Sequence, residues 1–450
     1  MKVRFLLNGD PQNVHVEPTT TLLDWLRESR SLTATKEGCN EGDCGACSVI
    51  VTDETGAKCL NACILFLPQL EGKAVRTVEG ISGPEGDLHP VQKAMIAHHG
   101  TQCGFCTPGF VSAMAAAHLN GRKDFDIALA GNLCRCTGYA PIARAAEAAA
   151  VEPVPAWMSE NISSQEPGEP LSLADLAEWR SQNPNGTMIA GATDVGLWVT
   201  KEFRNLGEVF FLNRVPELAE ITETDTEIRI GAMVSVARAE KHLRAAFPSF
   251  ADLLIRYGSD QVRQAATLGG NIANGSPIGD GSPALIAMRS VLHLRSADGP
   301  RSLPLEDFFI DYGVQDLRAG EFVEAISIPK PSPARTLYCY KISKRFDQDI
   351  SSVCGCISFL REDGVLREPR VAYGGMAGTP KRAKHAEAAM EGRALSDACK
   401  AGAEALAADF TPLTDMRASA VYRMAVAQSL FERIALAEAG EAVDVGEVTA

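Results

Sequence analysis

Two sets of cysteines in this sequence have the spacing of metal-cluster ligands. In the first set, four, two and eleven residues separate successive members, which are Cys39, Cys44, Cys47 and Cys59. In the second set, two, twenty-seven and one residues separate the members, which are Cys103, Cys106, Cys134 and Cys136. Each set supplies the four thiolates that a [2Fe–2S] cluster requires. The spacing therefore predicts two clusters and the transfer of single electrons.

The first cysteine loop, KEGCNEGDCGAC at residues 36–47, has the spacing of plant-type ferredoxins. Glycines alternate with its cysteines and allow positive φ angles, so that backbone N–H groups can face a bound cluster. Either Cys59 or Cys63 closes the set. We expect Cys59, because KCL follows a hydrophobic strand, and we interpret Cys63 as a buried thiol.

The second cysteine set lies at two predicted helix starts. Cys103 and Cys106 precede an apolar run at residues 110–119, which Pro and Gly introduce as they do at a helix N-terminus. Another helix is predicted after Cys134 and Cys136. Facing helix starts would place positive dipole ends beside the four thiolates. A four-cysteine zinc site is the alternative, because CxxC pairs are common in zinc sites.

Composition and charge exclude several classes of protein. The net charge is −14 with no basic stretch to offset it, which argues against nucleic-acid binding. No apolar run approaches the roughly 18 residues that a membrane span needs. The first residues alternate as a strand and turn at Asn8 and Gly9, unlike a secretory leader. Cysteines spaced as ligands then indicate a cytoplasmic protein.

The chain divides into five predicted segments. Short strands and a helix near residues 21–29, capped by Thr21, accompany the first cysteine loop, and Ala-rich helical sequence surrounds the second set. A linker rich in Pro, Ser and Glu follows. Mixed strand and helix patterns come next, and PKPSPAR precedes a last segment that ends in a helix near residues 421–437. The predicted bounds are 1–76, 77–152, 153–170, 171–332 and 333–450.

Two loops of small residues form the third chemical element. One is AGATD at residues 190–194, and the other is TLGGNIANGSP at residues 267–277, just before Asp280. Backbone N–H groups in such loops can close on phosphate oxygens, and a pyrophosphate could bridge the two. AGATD by itself also fits an ordinary turn. Neither loop matches GxGxxG, so a Rossmann fold is not indicated.

In their order, the motifs CNEGDCGAC, QCGFCTPG, NLCRCTGY, AGATD and TLGGNIANGSPIGD resemble the iron–sulfur/FAD (small) subunit of bacterial xanthine dehydrogenases, in the molybdenum hydroxylase family. The resemblance covers nearly the whole chain. It implies a multidomain α+β fold. The implied parts are a ferredoxin-like β-grasp [2Fe–2S] domain, an all-α helical-bundle [2Fe–2S] domain, an α+β FAD-binding domain of the PCMH/vanillyl-alcohol-oxidase type and a C-terminal α+β subdomain.

The resemblance implies that the eight cysteines of the two sets ligate the clusters and that further residues contact FAD. The implied FAD contacts are Met188, Ile189, Ala190, Gly191, Ala192, Thr193, Asp194, Val195, Tyr257, Thr267, Leu268, Gly269, Gly270, Asn271, Asn274, Asp280, Val323 and Lys341. Tyr257 falls where relatives carry an aromatic residue, often Phe, against the flavin. Val323 and Lys341 are weaker matches, since a core valine and a surface lysine also explain them. No catalytic acid or base is predicted in this chain.

The resemblance also implies partners, because the sequence ends after its flavin region. A large partner subunit would bind molybdopterin and oxidise hypoxanthine or xanthine, and an (αβ)2 heterotetramer is expected. Electrons would pass through two [2Fe–2S] clusters to FAD and then to NAD+. The alternatives are the same module in another molybdenum hydroxylase, acting on an aldehyde or an N-heterocycle, and a non-enzymatic zinc-stabilised scaffold. Neither nucleic acid nor membrane is an expected partner.

Overall fold

The structure is a computed structural model that describes residues 1–162, 168–441 and 443. Residues 163–167 of the predicted linker, and 442 and 444–450 of the last predicted segment, lie outside the described residues.

Within the described residues, strands and helices alternate along most of the chain. The strands are β1 Lys2–Leu7, β2 Asp10–His15, β3 Ser48–Asp53, β4 Gly56–Asn61, β5 Ala74–Arg76, β6 Thr187–Ile189, β7 Val209–Phe211, β8 Ile221–Glu223, β9 Glu227–Gly231, β10 Val291–Ser296, β11 Gly299–Pro304, β12 Phe309–Asp311, β13 Val314–Gln315, β14 Phe322–Pro329, β15 Arg335–Ile342, β16 Val353–Glu362, β17 Val365–Gly374 and β18 Lys381–Arg382. The helices are α1 Leu22–Asp24, α2 Pro90–Ala97, α3 Thr107–Leu119, α4 Phe125–Leu129, α5 Ala140–Ala149, α6 Leu173–Gln182, α7 Val195–Thr200, α8 Val236–Leu243, α9 Pro248–Ile255, α10 Asp260–Ala265, α11 Leu268–Asn274, α12 Gly281–Ala287, α13 Leu305–Phe308, α14 Lys384–Met390, α15 Leu395–Ala405 and α16 Ala420–Glu438.

The chain forms two compact units. The first comprises Met1–Ser172, Asn185–Pro216 and Gly258–Ala266, and the second comprises Leu173–Pro184, Glu217–Tyr257 and Thr267–Ala450. The first unit thus takes in three stretches of the predicted segment 171–332, which are 171–172, 185–216 and 258–266. None of the helices in the described parts of the chain combines the length and hydrophobicity of a transmembrane span.

A five-stranded sheet in the order β2-β1-β5-β3-β4 opens the first unit. Asn8 and Gly9 turn β1 into β2 with φ angles of 52° and 89°, as a tight hairpin requires. Thr21 caps α1, because its side chain accepts the Asp24 N–H at 3.1 Å. The chain continues from α1 as a π-helical turn, Trp25–Ser29. The predicted strands and capped helix are confirmed.

Helices α2 to α5 form the second part of the first unit. The predicted apolar helix is α3, which begins directly after Cys106 and is buried along nearly its whole length. Phe110 and Met114 of α3 pack with Ile142 and Ala146 of α5 in one core. Because α3 is apolar and buried on all sides, it has almost no solvent-facing surface and is enclosed by its neighbours.

Two antiparallel sheets organise the second unit. One has the order β11-β10-β14-β9-β8, and its central strand β14 is buried along almost its full length. The other has the order β15-β16-β17-β18, and one of its faces packs on α14, α15 and α16. The predicted last helix is α16, capped by the side chain of Ser419, which accepts the N–H of Tyr422 at 3.2 Å. The predicted multidomain α+β fold is confirmed.

Candidate functional site

The first cysteine loop brings three of its predicted ligands close together. Hydrogen bonds to the thiols of Cys44 and Cys63 lower the pKa of Cys39. A hydrogen bond to Cys63 likewise lowers the pKa of Cys47, and the reciprocal contacts raise the pKa of Cys63. The thiols of Cys39, Cys44, Cys47 and Cys63 therefore form one group.

Contrary to the expectation from the sequence, Cys59 lies apart from this group. It sits on β4 with its side chain in the core around α3, and burial raises its pKa to about 12. Cys63 packs instead with Cys47 in the core of the five-stranded sheet. The sequence pattern predicts a closing ligand on the strand itself. The thiol that meets the loop follows the strand, in the turn Ala62–Ile64.

Backbone amides of the loop point at the thiols. The N–H groups of Asp43 and Cys44 both donate to Cys39 Sγ at 3.3 Å, and the Cys39 N–H donates to Cys44 Sγ at 3.3 Å. Positive φ angles at Gly42 and Gly45, 80° and 69°, turn these amides inward. Such donors favour the thiolate form of cysteine and stabilise a reduced cluster.

The second cysteine set also forms one group. Hydrogen bonding to Cys103 raises the pKa of Cys136, while burial and a hydrogen bond to Cys134 raise the pKa of Cys106 to about 12. Cys106 stands at the start of α3, as predicted. Tyr139, with φ of 67° before α5, accepts the N–H of Cys134 on its hydroxyl at 3.0 Å. Cys103 and Cys136 are exposed, whereas Cys134 is buried.

A direct hydrogen bond joins the two cysteine groups. The N–H of Leu133, adjacent to Cys134, donates to the carbonyl oxygen of Cys44 at 3.0 Å. The neighbouring Asn132 side chain donates to Gly45 O at 2.9 Å and accepts from Gln261 Nε2 at 2.9 Å. Sequence reasoning missed Asn132 and Gln261, because no motif marks a buried amide that acts across so many residues.

Three glycines allow the cysteine loops to approach this closely. A Cβ atom on Gly45 would lie 2.2 Å from Gly131 O, and one on Gly109 would lie 2.2 Å from Gly45 O. Backbone therefore packs directly on backbone between the first cysteine loop, the start of α3 and the segment before Asn132. A side chain at Gly45 or Gly109 would push the two cysteine groups apart, whereas one at Gly131 would meet Gln261 Oε1 at 2.0 Å.

The donor sets fit two-iron clusters. Among the described residues, no three or more His, Cys, Asp or Glu side chains are arranged to hold a single metal ion. A [2Fe–2S] cluster differs from a single ion, because two irons share its four cysteine ligands. The thiols of each group hydrogen-bond in pairs, and backbone amides donate to thiols of the first group, which is the kind of donor set that such a cluster requires.

The predicted FAD contacts Met188 to Val195 run from β6 to α7 in the first unit. Ile189 is buried against Phe66 and Phe211. Gly191 has no room for a side chain, since its Cβ would lie 1.9 Å from Ala265 O. Ala192 has a φ angle of 58°, and Ala190 O accepts from Gln69 Nε2 at 2.9 Å. The AGATD segment is thus a constrained, close-packed turn.

Helix α7, which follows this turn, touches the first cysteine loop. Thr200 Oγ1 donates to Asn40 O at 2.8 Å. Lys201, directly after α7, donates from Nζ to Cys39 O and lies 3.7 Å from a Glu41 carboxylate oxygen. The predicted FAD segment and the predicted cluster loop are consequently linked by two side-chain hydrogen bonds.

The other predicted FAD residues lie in the second unit, where TLGGNIANG forms a helix instead of the expected loop. Thr267 caps α11 by accepting the Gly270 N–H at 3.1 Å, and Gly275 ends it with a φ of 64°. The Thr cap and the terminal Gly are standard helix signals, and they outweigh the Gly-rich composition that predicts a loop. Leu268 and Gly269 are buried in this first turn.

An amide oxygen near the start of α11 lacks a partner. Asn271 donates to the Tyr257 hydroxyl at 3.1 Å, but its Oδ1 is buried and accepts no hydrogen bond from the described residues. A Cβ on Gly281 would lie 2.8 Å from that oxygen. A buried acceptor without a protein donor fits a ligand with N–H or O–H donors, as FAD has.

Asp280 and Lys341 form a buried ion pair. Lys341 Nζ lies 2.6 Å from Asp280 Oδ2 and donates to Arg256 O at 2.9 Å. Ser351 donates to the other Asp280 oxygen. Lys341 is therefore not the surface lysine of the alternative reading, and Val323 is buried on β14. Asn274, at the end of α11, accepts from Gln315 at 3.4 Å on its backbone oxygen.

Comparison with known families gives four matches along the chain. They are a 2Fe-2S iron-sulfur cluster binding domain at residues 5–68, a [2Fe-2S] binding domain at 77–147, an FAD binding domain in molybdopterin dehydrogenase at 167–331 and a CO dehydrogenase flavoprotein C-terminal domain at 338–437.

Curated relatives include xanthine dehydrogenase of Drosophila pseudoobscura pseudoobscura, 30% identical over 83% of this chain and 34% of the relative. Xanthine dehydrogenase/oxidase of Gallus gallus is 30% identical over 88% of this chain and 37% of the relative. The chain thus spans about a third of the length of these relatives.

Among solved structures, a chain of carbon monoxide dehydrogenase from Hydrogenophaga pseudoflava aligns with a TM-score of 0.57 and 27% identity, covering 61% of this chain and 96% of that one. A chain of quinoline 2-oxidoreductase from Pseudomonas putida 86 shares the fold, with a TM-score of 0.55, 22% identity and coverage of 61% and 96%. Carrying two 2Fe-2S domains, an FAD-binding domain and its C-terminal companion in this order, the chain belongs to the iron–sulfur/FAD modules of the molybdenum hydroxylase family.

Proposed function

We propose that this chain is the electron-transfer part of a xanthine dehydrogenase, which carries electrons from the oxidation of hypoxanthine or xanthine on a molybdopterin-binding partner subunit to NAD+. The observation that carries this proposal is the hydrogen bond from Leu133 N–H to Cys44 O, which joins the two cysteine groups in one unit. When bound, the clusters would supply one-electron carriers, and FAD would exchange single electrons for the hydride that NAD+ accepts.

For the first cluster, we propose that the ligands are the four thiols that lie together in the structure. For the second cluster, we propose the four cysteines predicted from the sequence. The proposed ligands are Cys39, Cys44, Cys47 and Cys63 for one cluster and Cys103, Cys106, Cys134 and Cys136 for the other. The protein contributes the thiolates, the amide donors to them and burial, which together set a cluster's potential.

The surroundings of the second cysteine set support a partner subunit. Cys103 and Cys136 are exposed, and the apolar side chains of Phe105, Leu133 and Tyr139 stand exposed beside them. Exposed apolar groups around a redox site are suited to contact with another protein. We propose that the molybdopterin-binding subunit covers this surface and that two such pairs form an (αβ)2 heterotetramer.

The FAD assignment within the second unit rests on the buried residues described above. Asn271 offers an acceptor that has no hydrogen-bond partner among the described residues, and the Asp280–Lys341 pair places two opposite charges in the interior. Tyr257, held by Asn271, is the proposed aromatic contact of the flavin. The other predicted FAD contacts, from Met188 to Val195 and from Thr267 to Gly270 with Asn274 and Val323, stay proposals. We also propose a cytoplasmic location, because the cysteines have ligand spacing.

The proposal is tested on the chain purified together with its molybdopterin-binding partner. Xanthine and NAD+ are added, urate and NADH are followed by absorbance, and iron, molybdenum and flavin are quantified in the same sample. We expect urate and NADH to form in equal amounts. A colourless protein that contains zinc and no iron would overturn the proposal in favour of a zinc-stabilised scaffold.

A second assignment places the same module in another molybdenum hydroxylase, which acts on an aldehyde or on a different N-heterocycle. It is favoured by the 27% identity to a carbon monoxide dehydrogenase chain, which shows the module in an enzyme named for another substrate. Reduction of iron and flavin by an aldehyde or N-heterocycle, but not by xanthine, would support this assignment over the first.

A further inference from the structure

Three cysteines that the proposed function does not use lie on one face of the sheet β15-β16-β17-β18. Cys339 on β15 stands directly opposite Cys356 on β16, and Lys341 stands directly opposite Cys354. Residues that face each other across antiparallel strands project their side chains to the same side of the sheet. The three thiols and the Lys341 side chain therefore share this face.

Hydrogen bonds around Cys339 identify the kind of cross-strand pair that it forms. Its N–H donates to Ser249 Oγ at 2.8 Å, and Lys341 O, two residues further on, accepts from Arg256 Nη1 at 2.9 Å. These backbone groups point away from β16, so Cys339 and Cys356 form a non-hydrogen-bonded pair. Cα atoms in such pairs are about 4.5 Å apart, and disulfides join Cα atoms about 4.4–6.8 Å apart. A bond between them requires no change of register.

The thiols differ in their access to solvent. Cys339 is partly exposed, whereas Cys354 and Cys356 are fully buried. Burial, together with hydrogen bonds to Cys339 and Cys354, raises the pKa of Cys356 well above its usual range. An oxidant that arrives from solvent meets Cys339 first and finds Cys356 in contact with it. This is the arrangement of an attacked thiol with an adjacent resolving thiol.

We propose that Cys339 and Cys356 are a peroxide-oxidised thiol pair that forms a reversible disulfide. The Cys339 sulfur attacks the O–O bond of hydrogen peroxide, which yields a sulfenic acid and one water. The Cys356 sulfur then attacks the Cys339 sulfur, and the hydroxyl group leaves with the Cys356 proton as a second water. The two thiols lose two electrons, and the peroxide gains them. A dithiol reductant reverses the bond by exchange.

The disulfide would close a loop of residues 340–355 around the buried ion pair. Lys341 and Ser351 both lie in this loop, and both hydrogen-bond to Asp280. Closing a loop through a covalent bond restricts the motions that separate its ends. Oxidation would therefore hold the Asp280 partners in place and resist local opening of this part of the second unit.

The test reads individual peptides, so its result does not depend on xanthine turnover or on the cofactors. The full chain is treated with hydrogen peroxide, remaining thiols are alkylated, and the protein is digested with trypsin without reduction. Cleavage after Lys and Arg places Cys339 in peptide 336–341 and both Cys354 and Cys356 in peptide 346–361. We expect these two peptides to change from separate to mainly disulfide-linked, and dithiothreitol to separate them again.

Matched variants identify the partner. The link should be lost in Cys356→Ser and in Cys339→Ser and should persist in Cys354→Ala. Cys399→Ala, which changes a buried thiol elsewhere in the same unit, should leave the link unchanged. Conversion of Cys339 to sulfinic or sulfonic acid without a linked peptide would overturn the proposal. A link that persists in Cys356→Ser would also overturn it.

Discussion

Cys59 and Cys63 are only four positions apart in the sequence, but their side chains have different surroundings. Cys59 is enclosed by the core around α3, where burial keeps it a neutral thiol with a pKa of about 12. Cys63 contacts Cys39 and Cys47 and is the thiol placed to complete their group. The difference arises at the end of β4, where the chain leaves the strand and turns toward the first cysteine loop.

Substitution of these two cysteines should therefore have unequal effects on iron content. Cys63→Ser removes a proposed ligand of the first cluster, so we expect the purified chain to lose about half of its iron and one of two cluster signals in electron paramagnetic resonance. Cys59→Ser should keep both signals, because its side chain lies outside the thiol group. Loss of a cluster in Cys59→Ser, with retention in Cys63→Ser, would contradict the assignment.

The Asp280–Lys341 pair should be sensitive to the removal of one partner. Both side chains are almost fully buried, at 5% and 2% exposure, so Lys341→Met leaves an uncompensated carboxylate in the interior. We expect it to lower the free energy of unfolding by about 3–5 kcal/mol. The double variant Asp280→Asn with Lys341→Met should recover part of that loss in urea unfolding, and additive losses would argue against a coupled pair.

Helix α7 connects the AGATD turn to the first cysteine loop through its last residues. Thr200 and Lys201 both donate to carbonyl oxygens of the loop, and Gly196 of the same helix packs against Ile64. The helix is short, so its position depends on these contacts more than on its own propensity. A change at the end of α7 should thus be felt at the cysteine loop.

Lys201→Gln should make the midpoint potential of the first cluster more negative. A positive charge close to the proposed ligand Cys39 favours the reduced, more anionic cluster, so its removal disfavours reduction. A redox titration followed by electron paramagnetic resonance measures the shift. Lys384→Gln, on an exposed position of the second unit, is the matched control and should leave the potential unchanged. An unchanged midpoint potential in Lys201→Gln would show that the Lys201 charge does not affect the first cluster.

At the scale of the whole molecule, acid stability should depend on a buried histidine pair in the helical part of the first unit. His89 and His118 meet edge to face with ring centroids 5.2 Å apart, and His89 Nε2 and His118 Nδ1 are buried without partners in the described residues. Burial, then the nearby charges of His118 and Arg76, lower the pKa of His89 from 6.5 to about 4. The folded chain therefore holds His89 neutral.

The sign of the pH dependence follows from that lowered pKa. Below about pH 6.5 His89 is protonated in the unfolded chain, but in the folded chain it stays neutral down to about pH 4. The free energy of unfolding should therefore fall by on the order of 3 kcal/mol as the pH is lowered across this window. His89→Asn should flatten this fall while an Asn side chain still caps α2. Urea unfolding at both ends of the window measures the effect. Partly exposed His98→Gln is the control and should retain the wild-type slope.

Elements with a local signal could be predicted from the sequence. The turn at Asn8-Gly9, the Thr21 cap and the apolar run of α3 are each indicated by a pattern of a few neighbouring residues. Features that depend on distant parts of the chain could not. Cys63 required knowledge of where β4 ends, and Gln261 bonds to a side chain 129 residues away. The local Gly-rich pattern of α11 even favoured a loop, although Thr267 and Gly275 are helix-terminal signals.

The contact of Gly45, Gly109 and Gly131 limits how this chain can be recombined with its relatives. Because backbone meets backbone there, Gly45 and Gly109 must both lack a side chain, and Gly131 takes part through its carbonyl oxygen, which faces Gly45. A chimera that exchanges only one cysteine-bearing segment keeps this fit only if the incoming segment also carries glycine at its contact position. The two iron–sulfur segments are therefore exchangeable as a joined pair, and the natural unit for transplantation into another scaffold contains both.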